Sequence, residues 1–447
     1  MNLHIDLQPA TPPGTFAHVT LNAPGLPAKH VQLDAVQLRR YGSARDPQAQ
    51  DLLFVAALVY AADLYVPRRT FPDTWTRELT LSLPVADPAL WQTARPRLEA
   101  CLSFLSGDRW SIHFTQRDPN LTLWAPLRQP VTPPAVDAVS LFSGGLDSAL
   151  GVAGYLADHP EQQLQLVGHA DTSTSGTKAD QREVYAAIQA TFPGRTHLLQ
   201  VYAGFRKREA APERSMRSRS FLFLALGVYV ANAQADGTPL LIPENGTIAL
   251  NMPLTPSRTG SHSTRTAHPH FLQLFRSVLE ALNLNVPVEN PLTHQTKGEA
   301  VRACLDHALL AALAITTNSC AKTHRKGYWR RRGPGVKHCG QCMPCLYRRA
   351  ALHTAGLDDG AQYGVDLCAG EVDLTGHGAG ANDARALLYL LRERPAQETI
   401  EDRLFTNAPF PVPDRAQNAQ LVLRTLDELR AWLDHKGRAD VKAYAGL

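Results

Sequence analysis

The sequence predicts an α/β protein. A doubly wound parallel sheet is preceded by a smaller N-terminal α+β domain and carries a metal-binding segment late in its course. Three observations predict it. From residue 136 onward, apolar runs at 138–142, 164–169, 196–202 and 239–243 alternate with helical segments at 148–156, 179–191 and 218–235. Those runs are too continuous for strands with one wet face, so they read as a sheet covered on both sides. Before residue 126, stretches of period two (3–7, 18–21, 78–84, 109–114) and two helical patterns (49–65, 89–105) describe a separate, half-buried architecture. Between the two regions stand Pro126, Pro130, Pro133 and Pro134, a density that stiffens a connector.

The division expected is therefore an N-terminal domain over 1–125, a linker over 126–135, a central α/β domain over 136–369 and a helical appendage over 370–447. Two further helices, 268–282 and 296–315, flank an extended piece at 286–292, and the appendage carries helical patterns at 384–392 and 419–435. The chain has 447 residues, 44% hydrophobic and 19% charged, which places it among folded globular proteins. A net charge of +4 is too mild to argue nucleic-acid binding on its own. The longest apolar runs, 52–62 and 221–231, fall short of the roughly 18 residues a membrane span requires, so no membrane partner is expected. The first eight residues lack a basic and an apolar signal region, and the expected location is cytoplasmic.

The sharpest motif closes the first strand of the sheet. Leu141 and Phe142 lead into Ser143-Gly144-Gly145-Leu146-Asp147-Ser148 and then a helix. Two glycines let the backbone turn and approach a ligand, and the helix start offers free N–H groups to an anion. Ser143 and Ser148 add hydroxyls. Asp147 is the odd member: beside a phosphate it must either order backbone N–H groups or hold a divalent cation. No Gly-Lys pair occurs anywhere in the chain, which excludes a Walker A loop.

The second motif is Cys339-Gly340-Gln341-Cys342-Met343-Pro344-Cys345, with Cys320 upstream. Thiols three residues apart converge on one metal, and four thiolates complete a closed, structural zinc site. Pro344 suits the first turn of a helix that would fix Cys345. The seven Lys/Arg between Lys322 and Lys337 would offset the charge of four thiolates. An iron–sulfur cluster fits the same ligand count, and His338 is an alternative ligand to Cys320. Cys101, Cys304 and Cys368 stand singly in apolar surroundings and read as core.

The glycine turn resembles the PP-loop of ATP pyrophosphatases, which cleave ATP between its α and β phosphates. Together with the cysteine pattern, Arg348 or Arg349, Arg219-Ser220-x-x-Phe-Leu, Asn290-Pro291-Leu292 and Thr296-Lys297-x-Glu299, residues 136–355 resemble the 7-cyano-7-deazaguanine synthase family, QueC. That resemblance implies a PP-loop (HUP-like) fold and a nucleotide pocket running from Leu141 through Ser148 with His169 and Ala170. It implies ATP, Mg²⁺ and Zn²⁺ as cofactors. It also implies activation of the carboxylate of 7-carboxy-7-deazaguanine by ATP, amide formation with ammonia, and dehydration to the nitrile by a second ATP.

The chain departs from the family where Asp171 to Lys178 replaces an aromatic segment and where the cysteine spacing is lengthened. The stretch from Pro243-Glu244-Asn245-Gly246 through Arg265 to His268-Pro269-His270 is similar to QueC-like proteins of bacterial anti-phage systems, QatC of the Qat system among them. This implies an acceptor that is a protein amine in place of ammonia.

Within this reading Asp147, Lys297 and Arg219 are the expected catalytic residues, the two cations neutralising non-bridging phosphate oxygens. Glu244, Asn245 and Arg265 are expected at the substrate. His262, His268 and His270 offer acid–base chemistry in a polar loop. The rival reading is a tRNA-modifying PP-loop enzyme, with Tyr328 and Trp329 stacking bases inside the basic stretch. A non-catalytic nucleotide-binding scaffold is the third. Oligomeric state is not legible.

Overall fold

A computed structural model describes residues 1–8, 16–41, 46–118, 123, 133–171, 176–206, 209–254, 265–322, 328–329, 331–333, 335–376, 378–410 and 412–447. Ten strands are described: β1 Asn2–Gln8, β2 His18–Ala23, β3 Leu26–Leu33, β4 Glu78–Val85, β5 Arg109–Gln116, β6 Ala138–Leu141, β7 Leu164–Ala170, β8 Thr196–Phe205, β9 Leu240–Leu241 and β10 Val288–Glu289. They form one sheet in the order β10-β9-β6-β7-β8-β3-β2-β1-β4-β5.

The run from β10 to β8 is parallel throughout, as the apolar runs predict. Every residue of β6 and β7 is buried. From β6 the chain moves outward to β7 and β8, then returns across β6 to β9. That reversal makes the carboxyl ends of β6 and β9 the switch point of a doubly wound sheet, where such folds open a crevice for ligands.

The first 116 residues extend the same sheet. β3, which the period-two stretches do not include, pairs antiparallel with β8 through Val31↔Phe205 and Leu33↔Ala203, and β4 alternates buried and exposed positions as its pattern predicts. Helix Pro47–Tyr65 is apolar on nearly every face because it lies between layers, packed on helix Arg219–Asn232. One continuous apolar core joins Leu52, Leu58, Leu81 and Ile112 to Val139, Val167 and Phe221. Much of the 126–135 connector lies outside the described residues, Pro126 and Pro130 included.

The single helix expected over 296–315 is two, Lys297–Ala303 and His307–Thr316. Asp306 interrupts it: its side chain accepts from the Leu309 amide (2.8 Å) and starts a new helix with its own cap. The appendage holds helices Asn382–Glu393 and Val412–Lys436 near the expected places, and also Gln397–Asn407 and Ala439–Ala445. They share a core with Leu346 and Tyr347 of helix Met343–His353. Arg349, buried, clamps this junction, reaching Asp358 (2.9 and 3.0 Å) and Asp366 while lying over the rings of Tyr363 and Trp432. No helix among the described residues is long and apolar enough to cross a membrane.

Candidate active site

The glycine turn stands where the alternation predicts, at the carboxyl end of β6. Gly144 adopts φ +80°, a left-handed conformation that side chains disfavour, and a β-carbon there would press within 3.3 Å of Gln181. Gly145 caps helix Leu146–Asp158 through its backbone, without a side-chain acceptor on the first turn. The turn is internally braced: Ser143 Oγ lies 3.1 Å from Ser148 Oγ and accepts from the Gly145 amide (3.2 Å), and Ser148 donates to the Gly145 carbonyl (2.9 Å).

Asp147 is drawn into a largely buried pair. Lys297 Nζ lies 2.6 Å from both of its carboxylate oxygens, and Asn245 Nδ2 donates to one of them (2.9 Å). Lys297 is 3% exposed, and its ammonium meets this carboxylate in the present structure. Asn245 is committed twice, because its Oδ1 also accepts from the Ile248 amide (3.2 Å) and caps the short helix after it. Both residues therefore shape the site's wall more than they face its interior. Both carboxylate oxygens of Asp147 thus have protein partners in this structure.

A cavity of about 250 Å³ opens at the switch point. Its walls include Leu141, Ser143 and Ser148 from the turn, Ile242 to Glu244 from the end of β9, and Arg217, Arg219 and Phe223 around the start of helix Arg219–Asn232. Burial drives the Glu244 carboxyl up to about 7, with the nearby Asp147 adding to the rise and Lys297 opposing it. Arg219 donates from Nε to His169 Nδ1 (3.2 Å), whose Nε2 in turn bonds the Ala203 carbonyl (3.0 Å). This pairing requires the tautomer with hydrogen on Nε2. Burial, aided by Arg219, holds His169 neutral by lowering it to about 4. His169 thus aims an arginine, and Ala170 ends the same strand.

Arg265 lines the cavity, yet its guanidinium is largely occupied. It donates to the Phe104 carbonyl (2.6 Å) and Asn407 Oδ1 (3.0 Å) and lies over the Phe104 ring. Burial lowers it to about 10. His268, fully buried against Phe104 and Phe410, is pushed to about 3 by burial, then by Arg265 and His270, which removes it from acid–base chemistry near neutral pH. His262 lies outside the described residues.

Arg217 is a residue the motifs do not reveal. It lines the cavity, its Nε is buried without a hydrogen-bond partner among the described residues, and burial lowers it to about 10. Its neighbours explain its position. Arg77 bridges Asp63 and Asp108, and Arg68 meets Asp108 at 2.8 Å, all four nearly or fully buried. Asp63 then accepts from both the amide (2.8 Å) and hydroxyl (2.9 Å) of Ser218. A balanced ion network from the first 116 residues thus pins the residue between Arg217 and Arg219.

The cysteine centre adjoins the turn. The sulfurs of Cys320, Cys339, Cys342 and Cys345 lie within 4.8 Å of one another, all buried and none in a disulfide. Backbone amides of Lys322 (3.4 Å) and Cys342 (3.3 Å) donate to Cys320 and Cys339. Gly340, at φ +83°, is obligatory, since a β-carbon would sit 1.9 Å from the Val365 carbonyl. Cys320 therefore completes the set, and four thiols so disposed fit tetrahedral zinc. The centre supports the glycine turn through Asn318, whose amide donates to Gly144 O (3.0 Å) and whose side chain accepts from the Cys320 amide (3.0 Å).

Of the other cysteines, Cys101 and Cys368 are buried, and Cys304 only half so. Trp329, expected to stack bases, is 4% exposed within the cysteine core, whereas Tyr328 is exposed. Several cations of the basic stretch have internal partners: Arg332 with Gly364 O, Lys322 with Gly380 O, and Lys337 with Glu183.

Over 96 residues, 21% of this chain, the sequence is 33% identical to a 7-cyano-7-deazaguanine synthase of Methanocaldococcus jannaschii. The chain spans 38% of that relative's length. No protein-family profile matches the chain. The similarity is distant and partial.

Proposed function

We propose that the protein activates a 7-deazaguanine carboxylate with ATP, forming an acyl-adenylate and pyrophosphate, and passes the acyl group to an amine. The observation that carries this reading is the glycine turn and helix start, whose Ser143 and Ser148 line a cavity at the switch point together with Arg217 and Arg219. Backbone N–H groups and the helix dipole stabilise charge on the departing pyrophosphate. Arg219, aimed by neutral His169, and Arg217, half-buried with an uncommitted Nε, supply positive charge to a bound anion. Lys297 and Asp147 act as a rigid strut that keeps the turn open. The substrate carboxylate attacks the α-phosphorus; the bond to the β-phosphate oxygen breaks, and pyrophosphate leaves with the electron pair.

The nucleotide would occupy the turn from Leu141 to Ser148 with His169 and Ala170 behind it. Glu244 faces the acid's side of the cavity. Mg²⁺ would enter with ATP and neutralise phosphate charge. Cys320, Cys339, Cys342 and Cys345 would hold Zn²⁺ in a structural part, and Asn318 would connect that centre to the Gly144 carbonyl. The segment similar to anti-phage QueC-like proteins favours a defence setting and a protein amine as acceptor.

The test is pyrophosphate release by purified protein with ATP, Mg²⁺ and 7-carboxy-7-deazaguanine. Acid-dependent release supports the reading. Release that ignores the acid, or none with ammonia or candidate acceptor proteins added, removes it.

A further inference from the structure

We infer that Glu244 is the proton acceptor for the amine that attacks the activated acyl group. This rests on the acyl-adenylate reading and assigns a residue to its second half. Glu244 stands at the carboxyl end of β9, on the cavity wall facing Ser143 and Ser148. Its backbone is clamped at both ends by one side chain: its amide donates to Asn290 Oδ1 (3.2 Å) and its carbonyl accepts from Asn290 Nδ2 (2.8 Å). A carboxyl on so rigid a mount keeps one position during the reaction, as a proton acceptor requires.

The other acid–base candidates beside the cavity are already engaged by their partners. Asp147 is held by Lys297 and Asn245, and His169 bonds through both ring nitrogens. The charged groups around Glu244 are Asp147 on the turn's helix, Lys297 on the next, Arg217 and Arg219 across the cavity, and Arg265 beside the Ala267 amide that hydrogen-bonds to it. Burial and Asp147 raise the carboxyl to about 7, close to working pH, where general-base catalysis is most effective.

The step balances without a further reagent. The neutral amine attacks the acyl carbon, the bond from that carbon to the AMP oxygen breaks, and AMP leaves with the pair. The proton released from nitrogen passes to the Glu244 carboxylate and then to solvent.

The experiment compares two readouts on the full chain: acid-dependent exchange of pyrophosphate into ATP, which needs only adenylation, and acyl transfer to hydroxylamine, supplied at the same concentration of its neutral form at every pH. Glu244→Gln is expected to lower the ratio of transfer to exchange by about a hundredfold. Wild-type transfer should rise with pH through about 7, because the carboxylate form is the active one, and that rise should vanish in the variant. Equal loss of both readouts, or a variant whose transfer keeps its rate and pH profile, overturns the assignment. Should Glu244→Gln fail to fold, a wild-type transfer profile flat through neutrality overturns it equally. An absence of exchange in the wild type defeats the acyl-adenylate reading itself, and is thereby distinguished from failure of Glu244 alone.

Discussion

Lys297 Nζ sits 2.6 Å from both carboxylate oxygens of Asp147, joining two helix starts that are 150 residues apart in sequence. The pair is nearly buried, so each charge depends on the other. Asp147→Asn is expected to lower stability by about 3 kcal/mol, since it strands a buried ammonium. Adding Lys297→Met should recover a large part of that loss. Urea unfolding of the two single variants and the double variant measures the coupling; additive losses would show that the pair does not hold the turn.

Glu428, on helix Val412–Lys436, holds the other side of this strut. It accepts from Thr296 Oγ1 (2.5 Å) and from the Gly298 amide (3.2 Å), the residues on either side of Lys297. Three residues earlier, Thr425 meets Thr247 (2.5 Å) in the helix that Asn245 caps. Glu428→Ala is expected to cost about 1–3 kcal/mol and to slow adenylation more than it weakens ATP binding. Asp434→Ala, at an exposed pair with Lys442 (3.4 Å), should change neither. Thermal melts and steady-state kinetics on both variants decide it.

The same Glu244 carboxyl that serves transfer burdens the fold. Its ordinary value is 4.5 and its folded value about 7, so the neutral form is the stable one. That stability is fully present below about 4.5 and is lost as pH rises through 7. Glu244→Gln is therefore expected to melt higher than wild type at pH 8, by up to about 3 kcal/mol, with the advantage fading toward pH 5. Melting curves at the two pH values test this, and an advantage that grows on acidification contradicts it.

For the cysteine centre, protein purified without added metal should carry one zinc per chain and show no iron–sulfur absorbance. Stripping the metal should lower the melting temperature and weaken ATP binding together, because Asn318 links Cys320 to the Gly144 carbonyl. Elemental analysis and calorimetry before and after chelation provide the check. Cys320→Ser should reproduce both losses.

Contiguous motifs are legible in the sequence alone. The turn from Ser143 to Ser148 and the triplet from Cys339 to Cys345 carry their chemistry in adjacent positions, and the parallel sheet announces itself in strands buried on both faces. Features assembled across long intervals are not legible. Arg217 matters only because Asp63, Arg77 and Asp108 converge beneath Ser218, and nothing local marks those acids as buried. By sequence Lys297 is free to meet phosphate; packing brings Asp147 to it instead. β3 escapes a periodicity reading because Leu26–Leu33 carries only two buried positions, and its place is set by pairing with β8. Trp329 reads as a stacking surface because sequence order does not reveal that it fills the cysteine core.

The most direct test labels the carboxylate oxygens of 7-carboxy-7-deazaguanine with heavy oxygen and weighs the nucleotide released. If the carboxylate attacks the α-phosphorus at the Gly144–Gly145 turn, AMP emerges bearing one labelled oxygen when the acyl group moves to the amine. Unlabelled AMP, or ADP as the product, would contradict adenylation at this site.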